Sequence, residues 1–169
     1  LGDLKVSKSV LVENVATDNH IVIWGRMPTY SYSGGRYHGW LLAEGLSALG
    51  YKVTVYTDNC PYFINDFAHL SGHRRISLVT NTNFEDVTQF PQLNAAAVIV
   101  IPGMDRLPEL YRGAIKYASL FNAKLGLINF ESANWFNSMV VPPRDESLWQ
   151  YWEVTSRFCT TILSTTELS

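Results

Sequence analysis

Only two of the 169 residues are cysteines, Cys60 and Cys159, and neither stands in a C-x-x-C pair or beside histidine at a metal-ligand spacing. A disulfide framework and a cysteine-based zinc site are thereby excluded, and both residues read as thiols kept reduced in a cytoplasm. No apolar run approaches the ~18 residues that a membrane-spanning helix needs. The opening LGDLKVSKS lacks the hydrophobic stretch of a signal peptide. Charge of one sign is scarce as well: the formal net charge is −2 and no basic run is longer than Arg74-Arg75. The long-range field that gathers nucleic acid is missing, which argues against nucleic acid as a partner. No G-x-S-x-G elbow, H-E-x-x-H pair or cluster of ligating side chains is present, so serine, cysteine and metal catalysis find no support.

What remains is the composition of a folded domain, 47% hydrophobic and 17% charged. A chain of this length buries roughly 70% of its extended surface and can build one core without staples. Nine Tyr and five Trp are a surplus of aromatics, which either grip something at the surface or, as is usual, fill the core. Residues 1–20 scatter Leu4, Val6, Val10, Leu11 and Val15 ahead of ATDNH, and read as a leader, a short helix or a linker. The missing initiator Met suggests a cut from a longer chain.

From Ile21 onward, short apolar runs alternate with helical patterns, as in βαβ units around a parallel sheet. The runs are Ile21–Gly25, Lys52–Thr57, Arg75–Val79, Ala96–Pro102, Lys124–Phe130 and Cys159–Thr165. Several are apolar on both faces, as strands covered from both sides should be. Helices are expected near 35–49, with Trp40, Leu42, Leu46 and Leu49 on one stripe and Gly50 as cap, near 107–122, with Leu110, Ile115, Ala118 and Phe121 inward, and near 146–158. Right-handed crossovers then give an α/β fold, a doubly wound and mostly parallel sheet with helices on both faces, in the order 3-2-1-4-5-6.

In such a sheet the loop after the first strand is the favoured ligand site. Here it carries Tyr30, Tyr32, Gly34 and Gly35. The glycines permit positive φ and close backbone approach, and the helix start that follows offers N–H groups to an anion. The alternative is a plain strand-to-helix turn. A dinucleotide fingerprint needs glycines tightly spaced from the strand, whereas the first glycine of SGGRYHG, Gly34, comes nine positions after Gly25, and Asp58 alone does not restore it.

The stretch SGGRYHGWLLAEGLSALGYKVTVYT, with FCTTILSTTELS near the end, resembles the N-terminal domain of GT-B fold glycosyltransferases, particularly the retaining family 4 enzymes. The resemblance covers residues 21–169. It implies a Rossmann-like, acceptor-side half of an enzyme whose C-terminal donor domain is absent from this chain, so that the fragment alone is weakly active or inactive. It further implies a cytoplasmic protein, compatible with peripheral contact at the inner face of the membrane, with a nucleotide-sugar donor, a saccharide or lipid-linked acceptor, and neither metal nor cofactor.

The same resemblance implies that Gly34 and Gly35 approach the donor phosphates, with Arg36 either joining them or remaining solvated. Tyr30, Tyr32 and Tyr37 would line the acceptor groove or pack within the loop. Met104 and Asp105 follow the fourth strand, Asp105 as an acceptor contact or a helix cap. Glu131 and Asn134 occupy the place where the family has a His; Glu131 would bind an acceptor hydroxyl or cap the next turn. His38 reads as structural or exposed, and Trp135, Phe136, Trp149 and Trp152 as core or as a docking patch. The expectation is a retaining, metal-independent glycosyl transfer without a dedicated protein base. The rivals are a non-catalytic Rossmann-like binding module using the same sheet edge and a nucleotide-cofactor oxidoreductase domain.

Overall fold

A computed structural model describes residues 19–26, 34–61, 76–87, 90, 95–101, 108–129 and 152–164. Six parallel strands form one sheet: β1 His20–Gly25, β2 Lys52–Tyr56, β3 Ile76–Val79, β4 Ala97–Ile101, β5 Lys124–Asn129 and β6 Thr161–Ser164. Their order is β3-β2-β1-β4-β5-β6, which is the doubly wound order the sequence predicts. The chain therefore leaves β1 in one direction through α1 (Gly34–Ala48) to β2, and returns past β1 to begin β4 on its other side. Helix α2 (Pro108–Leu120) carries β4 to β5.

Alternation along the strands sorts the core into two layers. Ile21, Ile23, Val53, Val55, Ile99 and Ile101 pack with Trp40 and Ala43 of α1. Val22, Trp24, Tyr56, Val98, Val100, Leu125 and Leu127 pack with Leu110, Ala114 and Tyr117 of α2. The aromatic surplus is largely spent here. Trp24, fully buried, sits with its ring centroid 5.1 Å from Phe84, 4.9 Å from Phe90, 5.4 Å from Tyr117 and 5.7 Å from Tyr56. Its indole N–H donates to the Leu110 carbonyl at 3.0 Å, tying β1 to the first turn of α2.

Both helices end in the same way. Gly50, at φ 96°, donates to Ser47 O while Tyr51 donates to Leu46 O, and Asn122, at φ 52°, donates to Ser119 O while Ala123 donates to Ala118 O. These are paired Schellman caps, glycine in one and asparagine in the other, the residue types that tolerate a left-handed backbone.

Four details depart from the sequence reading. Leu49 lies past the last helical residue of α1 and is 77% exposed, so Ala43 takes the inward place beside Trp40. In α2 the inward face is Leu110, Tyr111, Gly113, Ala114, Tyr117 and Ala118, with Ile115 and Phe121 only flanking the core. The third helix is described only over 152–156, where Trp152 packs against the α2-side core. Strand β6 is an uncovered edge, with Ile162 45% and Leu163 40% exposed, not a strand sheathed on both faces.

Gly113 is required by packing, because a Cβ there would run into the carbonyl oxygen of Phe84 and press on Trp24. Gly45, on the exposed face of α1, has open space around it. Gly113→Ala should therefore destabilise by roughly 1–3 kcal/mol through overpacking. Gly45→Ala should stabilise by roughly 0.5–1 kcal/mol by removing backbone freedom from the unfolded chain. Urea denaturation of both variants checks the opposite signs.

His20 lies at the amino-terminal end of β1, buried, with Nε2 2.8 Å from Thr54 Oγ1. Burial, and next the charge of Lys52 opposite it in the ladder, hold its pKa down to about 4 from 6.5. A folded pKa below the unfolded one means a contribution fully present above the unfolded value and lost as pH falls through the folded one. For this shift the window is about pH 6.5 to 4 and the limit about 3 kcal/mol. The urea midpoint should fall more steeply across that window in the wild type than in His20→Gln; equal slopes would show that His20 titrates normally.

Candidate functional site

The strand order changes direction between β1 and β4, and the crevice beyond their carboxyl ends is where such sheets receive ligands. Two glycines shape it. At Gly25, the last residue of β1, a Cβ would stand 2.8 Å from Ile101 Cβ, and at Gly39 it would stand 3.0 Å from Ile101 Cδ1. Ile101 ends β4, so the glycines let α1 lie close over the end of the β1–β4 seam. Gly34 and Gly35 form the first turn of α1. They are helical, not a positive-φ loop; among the described glycines only Gly50 has that conformation.

Beside the seam runs a polar row that the sequence reading did not single out. In the ladders Trp24 pairs with Tyr56 and Tyr56 with Val79. Two residues beyond each lie Arg26, Asp58 and Asn81, side by side across three strand ends. Arg26 Nε donates to Asp58 Oδ2 at 2.5 Å. Asp58 Oδ1 accepts the N–H of Asn59 at 3.0 Å, and the Asp58 carbonyl accepts the N–H of Asn81 at 2.9 Å. Thr57 is fully buried, its N–H donating to Val79 O at 2.9 Å and its carbonyl accepting from Thr82 at 3.0 Å. The Thr57 hydroxyl reaches both the Asn59 carbonyl at 3.1 Å and Asp58 Oδ1 at 3.3 Å.

These bonds stitch the segment after β3 to the end of β2 and fix the carboxylate. The Arg26 and Asp58 side chains are 39% and 21% exposed, and so open a pair contributes only roughly 0–1 kcal/mol. Its position matters more than its energy. The signal was available: Gly25-Arg26 follows Trp24 as Thr57-Asp58 follows Tyr56, and a parallel register that pairs Trp24 with Tyr56 brings Arg26 beside Asp58.

Of the residues singled out in the sequence, Tyr37 is half-buried against the α1-side core and His38 is exposed. Gly34, Gly35 and Arg36 lie in the first turn of α1. Tyr30, Tyr32, Met104, Asp105, Glu131, Asn134, Trp135, Phe136 and Trp149 lie outside the described residues. Burial pushes the Cys60 thiol up and that of Cys159 to about 11, so neither is an activated nucleophile. Among the described residues there is no group of three or more potential metal ligands and no helix long and apolar enough to cross a membrane. A separate surface cavity of about 310 Å³, lined by Glu85, Glu109, Arg112, Gly113 and Lys116, balances two acids against two bases.

No protein-family model matches the chain, and no curated protein matches it. Solved structures do. The phenylacrylic acid decarboxylase from Aquifex aeolicus is similar over 88% of this chain and 82% of its own, with a TM-score of 0.56 and 12% identity. The NAD(P)-binding domain of an exopolyphosphatase-related protein from Archaeoglobus fulgidus gives 87% and 87%, with a TM-score of 0.46 and 14% identity. The first likeness shows a shared Rossmann-like fold. The expected membership among GT-B glycosyltransferases is overturned: no family model supports it, and a solved structure that shares this fold is a decarboxylase. Glycosyl transfer from a nucleotide-sugar, the family 4 assignment and a role in polysaccharide synthesis fall with it.

Proposed function

We propose that this chain is a Rossmann-like binding domain that holds a phosphate-bearing small molecule, of the nucleotide class, in the crevice between the ends of β1 and β4. The observation that supports the reading is the reversal of strand order at that seam, capped by the glycine-rich first turn of α1. Helix N-termini favour anions through their unpaired N–H groups and the helix dipole. Gly25 and Gly39 let α1 approach the seam closely, which brings that turn to the carboxyl edge. The polar row Arg26, Asp58 and Asn81 supplies directional groups next to it. Ligand sites of this kind combine an apolar floor with a few placed polar groups.

The decarboxylation named for the similar Aquifex protein is not carried over, since 12% identity bears on the fold alone. The cytoplasm is the proposed compartment, where Cys60 and Cys159 remain thiols.

Isothermal titration of the 169-residue chain with ADP, GDP, UDP and CDP tests the reading. At least one should bind, and Gly35→Trp, which places a bulky ring in the first turn of α1, should weaken it tenfold or more while leaving the melting temperature near that of the wild type. A folded chain that takes up none of the four overturns the proposal.

A further inference from the structure

We propose that β6 is a dimerisation edge, and that its partner is the β6 strand of a second copy of this chain, laid antiparallel to it across a two-fold axis perpendicular to the sheet. The surface is separate from the crevice between β1 and β4, because β5 stands between β4 and β6. Among the described residues β6 has a strand neighbour on one side only, β5. Alternate residues along its other side therefore point N–H and C=O groups out of the sheet, where another strand can take them up.

Three observations select a second copy as the occupant. The edge is unguarded: FCTTILSTT, from Phe158 to Thr166, has no charged residue and no proline, the side chains that commonly block edge pairing. The opposite edge differs, since Arg74-Arg75 leads directly into β3. Pairing β6 with β3 of a further copy would set that basic pair against an edge without an acid, and would propagate head to tail instead of closing. Next, the edge is apolar on both faces. The register puts Ile162 beside Leu127 of the α2-side core and Leu163 beside Ile128 of the α1-side core, and both are partly exposed. A two-fold axis perpendicular to the sheet keeps like faces together, so the two Ile162 side chains share one face of the junction and the two Leu163 side chains the other. Last, the charges are self-complementary. Val154 and Phe158, both exposed, flank β6 in the helical segment that leads into it, and the charged residues there, Glu153 and Arg157, pair with each other at 2.6 Å. Antiparallel copies run Glu153 of one toward Arg157 of the other, with no conflict of like charges.

A strand of 4 residues with these side chains makes an interface smaller than the ~1,600 Å² of a standard complex, so the dimer belongs to the weak, dissociating class. Sedimentation velocity on the full 169-residue chain tests it. Between about 1 and about 300 µM the average mass should climb from 19.1 kDa toward twice that value, with a dissociation constant on the order of 10–100 µM. Ile162→Lys and Leu163→Lys each place a charge on one face of the edge, and each should weaken dimerisation tenfold or more at a melting temperature near that of the wild type. Leu49→Lys, at an exposed leucine beyond the end of α1, should leave it unchanged. The wild-type profile needs no variant, so it stands even if a lysine variant folds poorly. A chain that stays monomeric throughout overturns the proposal and leaves the edge to a different partner. Association that both edge lysines leave intact overturns it by moving the interface elsewhere, and association that grows past the dimer does so by showing head-to-tail pairing.

Discussion

Ile101 is the pin on which this domain is assembled. Its side chain occupies space that two glycines leave open, Gly25 on the neighbouring strand and Gly39 on the helix above, where added Cβ atoms would fall 2.8 Å and 3.0 Å away. Because interiors are packed to the density of organic crystals, such a contact leaves little room for drift. It sets how near α1 lies to the sheet, and hence where the N–H groups of its first turn emerge. The glycines matter here for the absence of a side chain, not for a special backbone angle; that role belongs to Gly50 alone among the described glycines.

The opposite face is held by a different device. Trp24 presents the indole N–H to Leu110 and its ring to four other aromatics, while Gly113 gives the room in which α2 and the residues after β3 meet it. Burial of a Trp removes about 150–250 Å² from water. The hydrogen bond spares the indole the cost of entering the core unsatisfied. Together the two devices hold β1 from both sides as far as its carboxyl end at Gly25. A binding residue placed there inherits that order without needing a large ion-pair energy of its own.

Much of this was legible in the sequence. Six β-branched runs separated by turn residues predict all six strands to within two residues at each end, and the right-handed crossover rule turns that list into the observed order. Phase within the helices was harder to read. A stripe drawn through bulky apolar residues points Leu49, Ile115 and Phe121 inward, yet Gly39 and Gly113 leave no room for a Cβ and the small residues Ala43 and Ala114 are fully buried. Periodicity counts bulk, whereas packing is decided where bulk is missing. The polar row escaped for another reason. Arg26, Asp58 and Asn81 are far apart in the chain and share no motif; only the ladder register, which places Trp24, Tyr56 and Val79 in line, brings them together.

The same distinction accounts for the misleading family resemblance. The GYKVTVYT stretch does structural work: Gly50 takes the left-handed cap, Tyr51 closes it by bonding to Leu46, and Val53 and Val55 fill the α1-side core. A helix that feeds a buried parallel strand often stops at a residue tolerant of a left-handed backbone, glycine or asparagine, and is followed by an apolar run rich in β-branched residues. The Gly-Gly pair is likewise absorbed into the first turn of a helix. Residues common to β–α–β units therefore carried the resemblance, and they report the fold without the chemistry. What distinguishes one such domain from another is the set of side chains just past the strand ends, where the ladder no longer dictates residue type. In this chain those positions hold an arginine and an aspartate on adjacent strands.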